Sequence, residues 1–347
     1  MKIAVVNVQA PFIRGGAEIL AESLAARLRM AGHQAEIVLV PLAWHPEETL
    51  LDHMMACRLL RVDAGEPDLV IALKFPAYYV PFENKKIWLL HQFRQVYELW
   101  GTPFQQLPDT IDGRRVRDTI VQADNHHLRQ ARAIYTNSHI VAGRLRRYNG
   151  IEADGVLYPP LMRPELFEPG ESGDYFFYPS RLNTIKRQHV AIEAMRHVRS
   201  PFRLVIAGAA DEESYGAHLR ELVARWDLGG RVEFLGYISE EEKARRMADC
   251  FAALYLPFDE DSYGYVTLEA FHCHKAVLTF ADSGGTDEVI VDGENGRILD
   301  PTAEALAEGM ERLWADRRAA AGMGHEAHAT IARHGIEWPH ILERLVA

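Results

Sequence analysis

Short apolar runs alternate along this chain with longer segments in which apolar residues return every three or four positions, and the pattern starts over once, near residue 174. The first set of runs covers 2–8, 35–40, 68–73, 86–90 and 133–136, and each is rich in Val, Ile and Leu. Runs that are apolar on both faces are expected of parallel strands buried under helices on either side. Between the first two, residues 17–30 place Leu20, Leu24 and Leu28 on one helical face, and Gly32 suits the helix end. Strand–helix alternation of this kind predicts a doubly wound α/β domain.

Tyr158-Pro159-Pro160, Pro164 and the Pro- and Gly-containing stretch 168–174 punctuate the chain and read as a linker. Beyond it, strands are expected at 175–178, 202–207, 232–235, 251–256 and 276–280. Helices are expected at 186–196, around 214–226, and near 266–274. Ser239 with Glu242 forms a capping-box signature for a further helix. The predicted organisation is a first domain at 1–165, a second at 174–325 and a terminal helical segment at 326–347. At roughly 100–200 residues per domain, 347 residues suit two.

Charge narrows the partners. The net charge is −11; residues 1–165 carry 19 basic against 18 acidic groups, and the remainder carries 19 against 31. That balance argues against nucleic-acid binding, which depends on neutralising phosphates. Two basic groups in the first half, Arg114, Arg115 and Arg117, then Arg144, Arg146 and Arg147, fit solvated helix faces or a patch approaching an anionic membrane. No apolar run approaches the roughly 18 residues of a membrane span. The N-terminus enters an apolar run with no small-residue cleavage site and reads as a strand, not a signal peptide. Cys57, Cys250 and Cys273 are odd in number and far apart, which fits free thiols in a reducing, cytoplasmic setting.

Ligands of open α/β sheets bind beyond the carboxyl ends of the strands, so the loops there carry the functional expectations. After the first strand, Arg14-Gly15-Gly16-Ala17-Glu18 offers close backbone approach and a helix start that favours an anion, but it lacks the G-x-G-x-x-G of a dinucleotide site. After the first strand of the second half, Arg181 and Lys186 flank a short loop leading into a helix and suit a diphosphate. Asp259-Glu260-Asp261-Ser262-Tyr263-Gly264 joins a buried strand to a helix, where the N–H groups of Tyr265 and Val266 can meet phosphate. One turn in, the two oxygens of Glu269 suit the vicinal hydroxyls of a ribose. Asp282-Ser283-Gly284-Gly285 is another glycine turn, and His91 follows a parallel-type strand.

Four of these features, in this order, resemble glycosyltransferase family 4, the retaining enzymes of the GT-B fold. The family's E-G-F-G-x-x-x-x-E-A run corresponds to the stretch from Asp261 through Gly264 to Glu269-Ala270. Its R-L-x-x-x-K run corresponds to Arg181 through Lys186, its G-G-x-x-E-x-x-x-D-G-x-x-G run to Gly284 through Gly296, and its post-strand His to His91. The resemblance implies two Rossmann-like domains facing across a cleft, with the closing helix near 336–342 packed back on the first. It implies that Arg181 and Lys186 bind the donor diphosphate, that Glu269 holds the ribose, and that Asp261 with the backbone of Tyr263, Gly264, Tyr265 and Val266 positions the transferred sugar. Gly236, Tyr237 and Ile238 would border the base, and Gly15, Gly16 and His91 would lie near the acceptor. It implies no cofactor and no metal, a nucleotide-sugar donor, and a saccharide or lipid-linked saccharide acceptor at the cytoplasmic face of a membrane. Asp261 departs from the family's Glu and shortens reach by about 1 Å, a misplacement that can cost ~10²-fold in rate. That departure, with Ser262 and His274 at positions usually Gly, bears on donor identity more than on reaction class.

Other readings stay open at this level. Asp259-Glu260-Asp261 matches the D-x-D of metal-dependent GT-A transferases. A catalytically inactive nucleotide-sugar binder or a sugar-nucleotide epimerase would share most of these residues. Zinc binding by His272-Cys273-His274 is disfavoured, because consecutive helical side chains diverge by about 100°.

Overall fold

A computed structural model describes every residue of the chain except Ile13, Arg14 and Trp44. The chain divides into two compact units: Met1–Met162 with Ile336–Ala347, and Arg163–Gly335.

The first unit contains β1 (Lys2–Gln9), α1 (Gly16–Met30), β2 (Gln34–Pro41), α2 (Thr49–Leu59), β3 (Leu69–Ala72), β4 (Lys85–Leu89), α3 (Ile111–His127), β5 (Ala133–Thr136), α4 (His139–Asn149) and β6 (Gly155–Val156). The strands form one parallel sheet in the order β2-β1-β3-β4-β5-β6. Side chains alternate across the sheet. Ile3 and Val5 of β1 join Leu20, Leu24 and Leu28 of α1 on one face. Val6 and Val8 join Met54 of α2 and Val116 and Ile120 of α3 on the other.

The second unit contains β7 (Tyr175–Pro179), α5 (Gln188–Ala194), β8 (Arg203–Ala207), α6 (Glu213–Arg225), β9 (Val232–Gly236), α7 (Glu240–Asp249), β10 (Ala252–Leu254), α8 (Tyr265–His272), β11 (Val277–Phe280), β12 (Gly296–Leu299), α9 (Ala303–Ala315) and α10 (Arg317–Arg333). Its parallel order is β12-β11-β10-β7-β8-β9. The last helix, α11 (Trp338–Val346), returns to the first unit. Trp338 donates its indole N–H to the Leu161 carbonyl at 2.9 Å and packs edge-on against Trp88. Ile341 and Leu345 are fully buried beside it.

Two boundaries differ from the punctuation in the sequence. Residues 168–174, expected as a linker, are fastened to the second unit: Gly173 N donates to Asp249 O at 2.9 Å, and Lys275 Nζ reaches Gly170 O and Ser172 Oγ, each at 3.3 Å. The return to the first unit begins at Ile336 instead of 326. Helix α10 remains with the second unit because Thr330 Oγ1 accepts from Asn295 at 2.9 Å and Ala327 and Ile331 are buried. No helix among the described residues is long and apolar enough to cross a membrane.

Candidate active site

The order of the second sheet reverses between β7 and β10, and a doubly wound sheet opens a ligand crevice at such a switch point. The loops after these two strands hold most of the charged residues expected to act. After β7, Asn183 accepts from Lys186 N at 2.9 Å and caps a tight turn at Thr184–Lys186. Arg187 then takes φ 55°, a left-handed conformation that is unfavourable for a residue with a Cβ. The helix expected from residue 186 therefore starts at Gln188 and has only seven residues, too short to offer much of a dipole.

Arg187 holds this shape because its guanidinium binds both neighbouring loops. It donates to Leu256 O at 2.8 Å and Pro257 O at 2.5 Å, and it grips Asp282 through both carboxylate oxygens at 2.8 and 2.7 Å. The cation also lies over the Phe280 ring. Three strand-end loops are thereby tied by one side chain that the sequence reading passed over.

Lys186 faces the loop after β10. Its Nζ donates to Tyr255 Oη at 2.8 Å and is paired with Glu260. Tyr255 Oη donates to Glu260 at 3.0 Å, and burial, reinforced by that carboxylate, keeps the phenol protonated. Glu260 is itself fixed by backbone: its N–H donates to Ser283 O at 3.1 Å, and its carbonyl accepts from Gly285 N at 3.0 Å. Gly284, at φ 68°, allows that approach. The Gly284-Gly285 stretch leads into a 3-10 turn, Gly285–Glu288. Arg181 is more exposed and pairs with Asp211 at 3.0 Å.

Gly264 caps α8 at φ 72°, and a Cβ there would lie 2.2 Å from the Tyr255 ring, so no other residue fits. Tyr265 and Val266 open the helix, where backbone N–H groups have no partner within it. Asp261 and Tyr263 are buried just before it. Glu269 sits one turn in and is 3% exposed. Its Oε1 accepts from Lys243 Nζ at 2.5 Å, and its Oε2 is buried with no hydrogen-bond partner. Burial works against the Lys243 ammonium, but the Glu269 carboxylate outweighs it and holds the pKa above the ordinary lysine value. Gly236 ends β9 at φ 66°, Tyr237 projects its ring into solvent at 83% exposure, and Ile238 is half-buried.

The sheet of the first unit reverses between β1 and β3. Gly15 caps α1, its N–H donating to Glu18 Oε2 at 2.8 Å, and exposed Gly16 opens the helix. The other oxygen of Glu18 accepts from Lys74 Nζ at 2.8 Å. Arg14, expected in the same loop, lies outside the described residues. His91 follows β4 and is half-buried. Its Nδ1 lies 2.7 Å from the Gln92 carbonyl, which can only accept, so the ring carries a proton on Nδ1 and, when neutral, a lone pair on Nε2. Gln92 bonds to Asn149, and Asn149 reaches Tyr97 Oη at 3.2 Å. Behind them Asp124, fully buried, accepts from Tyr78, Tyr79 and Tyr97 at 2.8, 2.6 and 2.7 Å. Burial outweighs the three hydroxyls and raises Asp124 to about 6. Nothing local in the sequence marks this cluster, because its members lie 27 to 46 residues from Asp124.

His272, Cys273 and His274 do not converge: Cys273 is fully buried, while His274 leaves the helix at φ 54° and meets α10, with its Nδ1 3.2 Å from that of His325. Among the described residues no three His, Cys, Asp or Glu side chains form a group able to hold a metal ion.

Two parallel six-stranded sheets, each with a charged switch point, define the GT-B class. The structure aligns with sucrose-phosphate synthase from Thermosynechococcus elongatus at a TM-score of 0.81 and 20% identity, covering 99% of this chain and 96% of that one. It aligns with Anabaena HepE in complex with UDP and glucose at a TM-score of 0.75 and 20% identity, covering 100% and 99%. Residues 164–330 match the sequence model of the glycosyl transferases group 1 family, and the second unit belongs to that family. The chain is 25% identical over 182 residues to the D-rhamnosyltransferase WbpZ of Pseudomonas aeruginosa, which covers 52% of this chain and 46% of that protein. It spans half or less of the length of the curated relatives it matches.

Proposed function

We propose that this chain is a retaining glycosyltransferase that moves a hexose from a UDP- or GDP-linked donor to a hydroxyl of a saccharide or lipid-linked saccharide. The observation that carries the reading is Glu269: a carboxylate buried at a strand-end crevice, with one oxygen committed to Lys243 and the other unsatisfied. A buried acceptor without a partner costs about 1–3 kcal/mol, and a ribose hydroxyl would relieve it. Arg181 and Lys186 supply positive charge on the same sheet edge for the diphosphate. The α8 N-terminus, at Gly264, Tyr265 and Val266, adds N–H donors. Asp261 accepts from hydroxyls of the transferred sugar, and Gly236, Tyr237 and Ile238 border the base. These groups stabilise the departing diphosphate with no cofactor or metal ion. Relatives named as D-rhamnosyl- and mannosyltransferases, and HepE with UDP and glucose, support a nucleotide-sugar donor. Envelope glycan assembly at the cytoplasmic face of a membrane is the setting that fits such acceptors.

In the reaction, the acceptor oxygen bonds to the anomeric carbon on the face from which the diphosphate leaves. The anomeric carbon–oxygen bond to phosphate breaks, and a phosphate oxygen takes the acceptor's proton. Gly15, Gly16 and His91 serve the acceptor. Thermal-shift titration with UDP, GDP, ADP and their sugar conjugates, with and without EDTA, tests the reading. A ligand at 100 times its Kd adds about 2.7 kcal/mol of stability. A base-specific shift that persists in EDTA is expected. A shift abolished by EDTA would move the reading to metal-dependent chemistry, and no shift with any nucleotide would overturn it.

A further inference from the structure

Helix α7 lies against α8, and it contributes one side chain to the candidate site that neither the motifs nor the family resemblance singled out. Lys243 stands one turn beyond the Ser239 cap, and its ammonium turns inward to Glu269 Oε1 at 2.5 Å. Its surroundings give it little reason to be anywhere else. The stem passes the Phe167 ring, with Nζ 5.6 Å from the centroid, and among the described residues the one other carboxylate paired with it is Glu240, at 3.9 Å. Glu269 is almost entirely buried, and an ion in such a place needs a counter-charge.

The pair is asymmetric. Lys243 occupies one carboxylate oxygen and leaves the other, Oε2, buried with no donor to its lone pairs. An oxygen with two lone pairs can accept from two adjacent hydroxyls at once. We propose that Lys243 is a positioning residue for nucleotide recognition: by holding Oε1, it keeps Glu269 turned so that Oε2 meets the ribose diol. The inference rests on the reading that Glu269 holds the ribose. It adds that discrimination between ribose and deoxyribose resides in the α7–α8 pair and not in Glu269 alone.

The test is a binding cycle on the full chain by calorimetry, using UDP, GDP and ADP and continuing with the tightest of them and its 2′-deoxy counterpart. Wild type should bind the ribonucleotide about ten- to a hundredfold more tightly, as expected for a hydrogen bond to a charged acceptor. Lys243→Met should bring that ratio to within about threefold of unity, and Lys243→Arg should restore most of it. A purely structural lysine would weaken both nucleotides alike and leave the ratio unchanged, which would overturn the proposal. Lys243→Met leaves Glu269 without its counter-charge, so Glu269→Gln and the double variant Lys243→Met/Glu269→Gln form a second comparison. Equal ratios in these two support coupling through the carboxylate, whereas a further drop in the ratio in the double variant overturns it. A wild-type ratio near one, or no binding of any of the three nucleotides, overturns the ribose reading of Glu269 itself, an outcome distinct from failure of Lys243.

Discussion

Each unit spans the switch point of its sheet with a Lys–Glu pair, but the two pairs are built differently. In the first, Glu18 lies on α1, caps that helix through Gly15 N and accepts from Lys74 with its other oxygen. Burial works to raise the Glu18 pKa, yet Lys74 and the Gly15 N–H outweigh it and hold the carboxyl below its usual range. Both oxygens are in use, so the pair is part of the scaffold. In the second unit, Lys186 and Glu260 sit on facing loops joined by Tyr255, and the lysine is on the loop that also carries Arg181. The same ion pair can close a fold or store a cation for a ligand. What separates the two is where the acid is anchored: Glu18 commits one oxygen to the cap of its own helix, whereas Glu260 meets Lys186 and Tyr255 between facing loops.

The largest effect on turnover should come from neither lysine. His91→Ala is expected to lower kcat about 10²-fold, the scale of losing a positioned polar group at a reaction centre, while leaving nucleotide Kd unchanged. A matching loss of nucleotide affinity would remove His91 from the acceptor side. Lys186→Ala should weaken nucleoside diphosphate binding about 10- to 100-fold, the worth of a charge-assisted hydrogen bond. Lys74→Ala should leave that affinity alone and lower stability by about 3 kcal/mol, because Glu18 keeps its burial and loses its counter-charge. Measuring Kd and denaturant midpoints for both variants sharpens the contrast. If Lys74→Ala impaired nucleotide binding and Lys186→Ala did not, the assignment of the two pairs would be reversed.

Arg187 permits a finer cut. Arg187→Ala removes the bonds to Asp282, Leu256 and Pro257 yet keeps a Cβ at φ 55°, and should cost about 2–3 kcal/mol. Arg187→Gly loses the same bonds but relaxes the left-handed backbone, and should recover about 1 kcal/mol of that. Equal midpoints for the two variants in denaturant would show that the backbone there carries no strain.

The difference between the units also explains what could be read in advance. Buried parallel strands announce themselves as apolar runs, so β1, β5 and β11 were visible from composition alone. Strand β6 has two residues and β12 carries Arg297 at the sheet edge, so neither makes such a run. Helix α2 buries only Leu50, Met54 and Cys57, too sparse a stripe to stand out. At the site, the strand-end positions of Arg181, Lys186, Asp261 and His91 follow from the alternation of elements. Their partners do not: Glu260 is 74 residues from Lys186, Lys243 is 26 from Glu269, and Asp211 is 30 from Arg181. The shortened α5 depended on one residue, Arg187, adopting a conformation that its type disfavours. Such pairings are tertiary facts, and only the fold reveals them.

The smallest expected effect concerns pH, and its sign differs between the units. Asp124 in the first is raised by burial from 3.8 to about 6. The folded state then holds a proton that the unfolded chain gives up, so this group's stabilising contribution is complete below pH 4 and is lost as pH rises through 6. His272 in the second is lowered by burial, with His328 and His274 adding to it, from 6.5 to about 4. Its contribution is complete above pH 6.5 and is lost as pH falls through 4. Between pH 6.5 and 4 the two therefore pull in opposite directions, the first unit tightening where the second loosens. Hydrogen exchange corrected for intrinsic rates should show protection of α3 rising and that of α8 and α10 falling as the solution is acidified. Asp124→Asn should flatten the first trend and His272→Gln the second, each without touching the other. If both units followed one trend, or if Asp124→Asn flattened both, stability would be shared across the chain and the contrast between the two units would not extend to their titration.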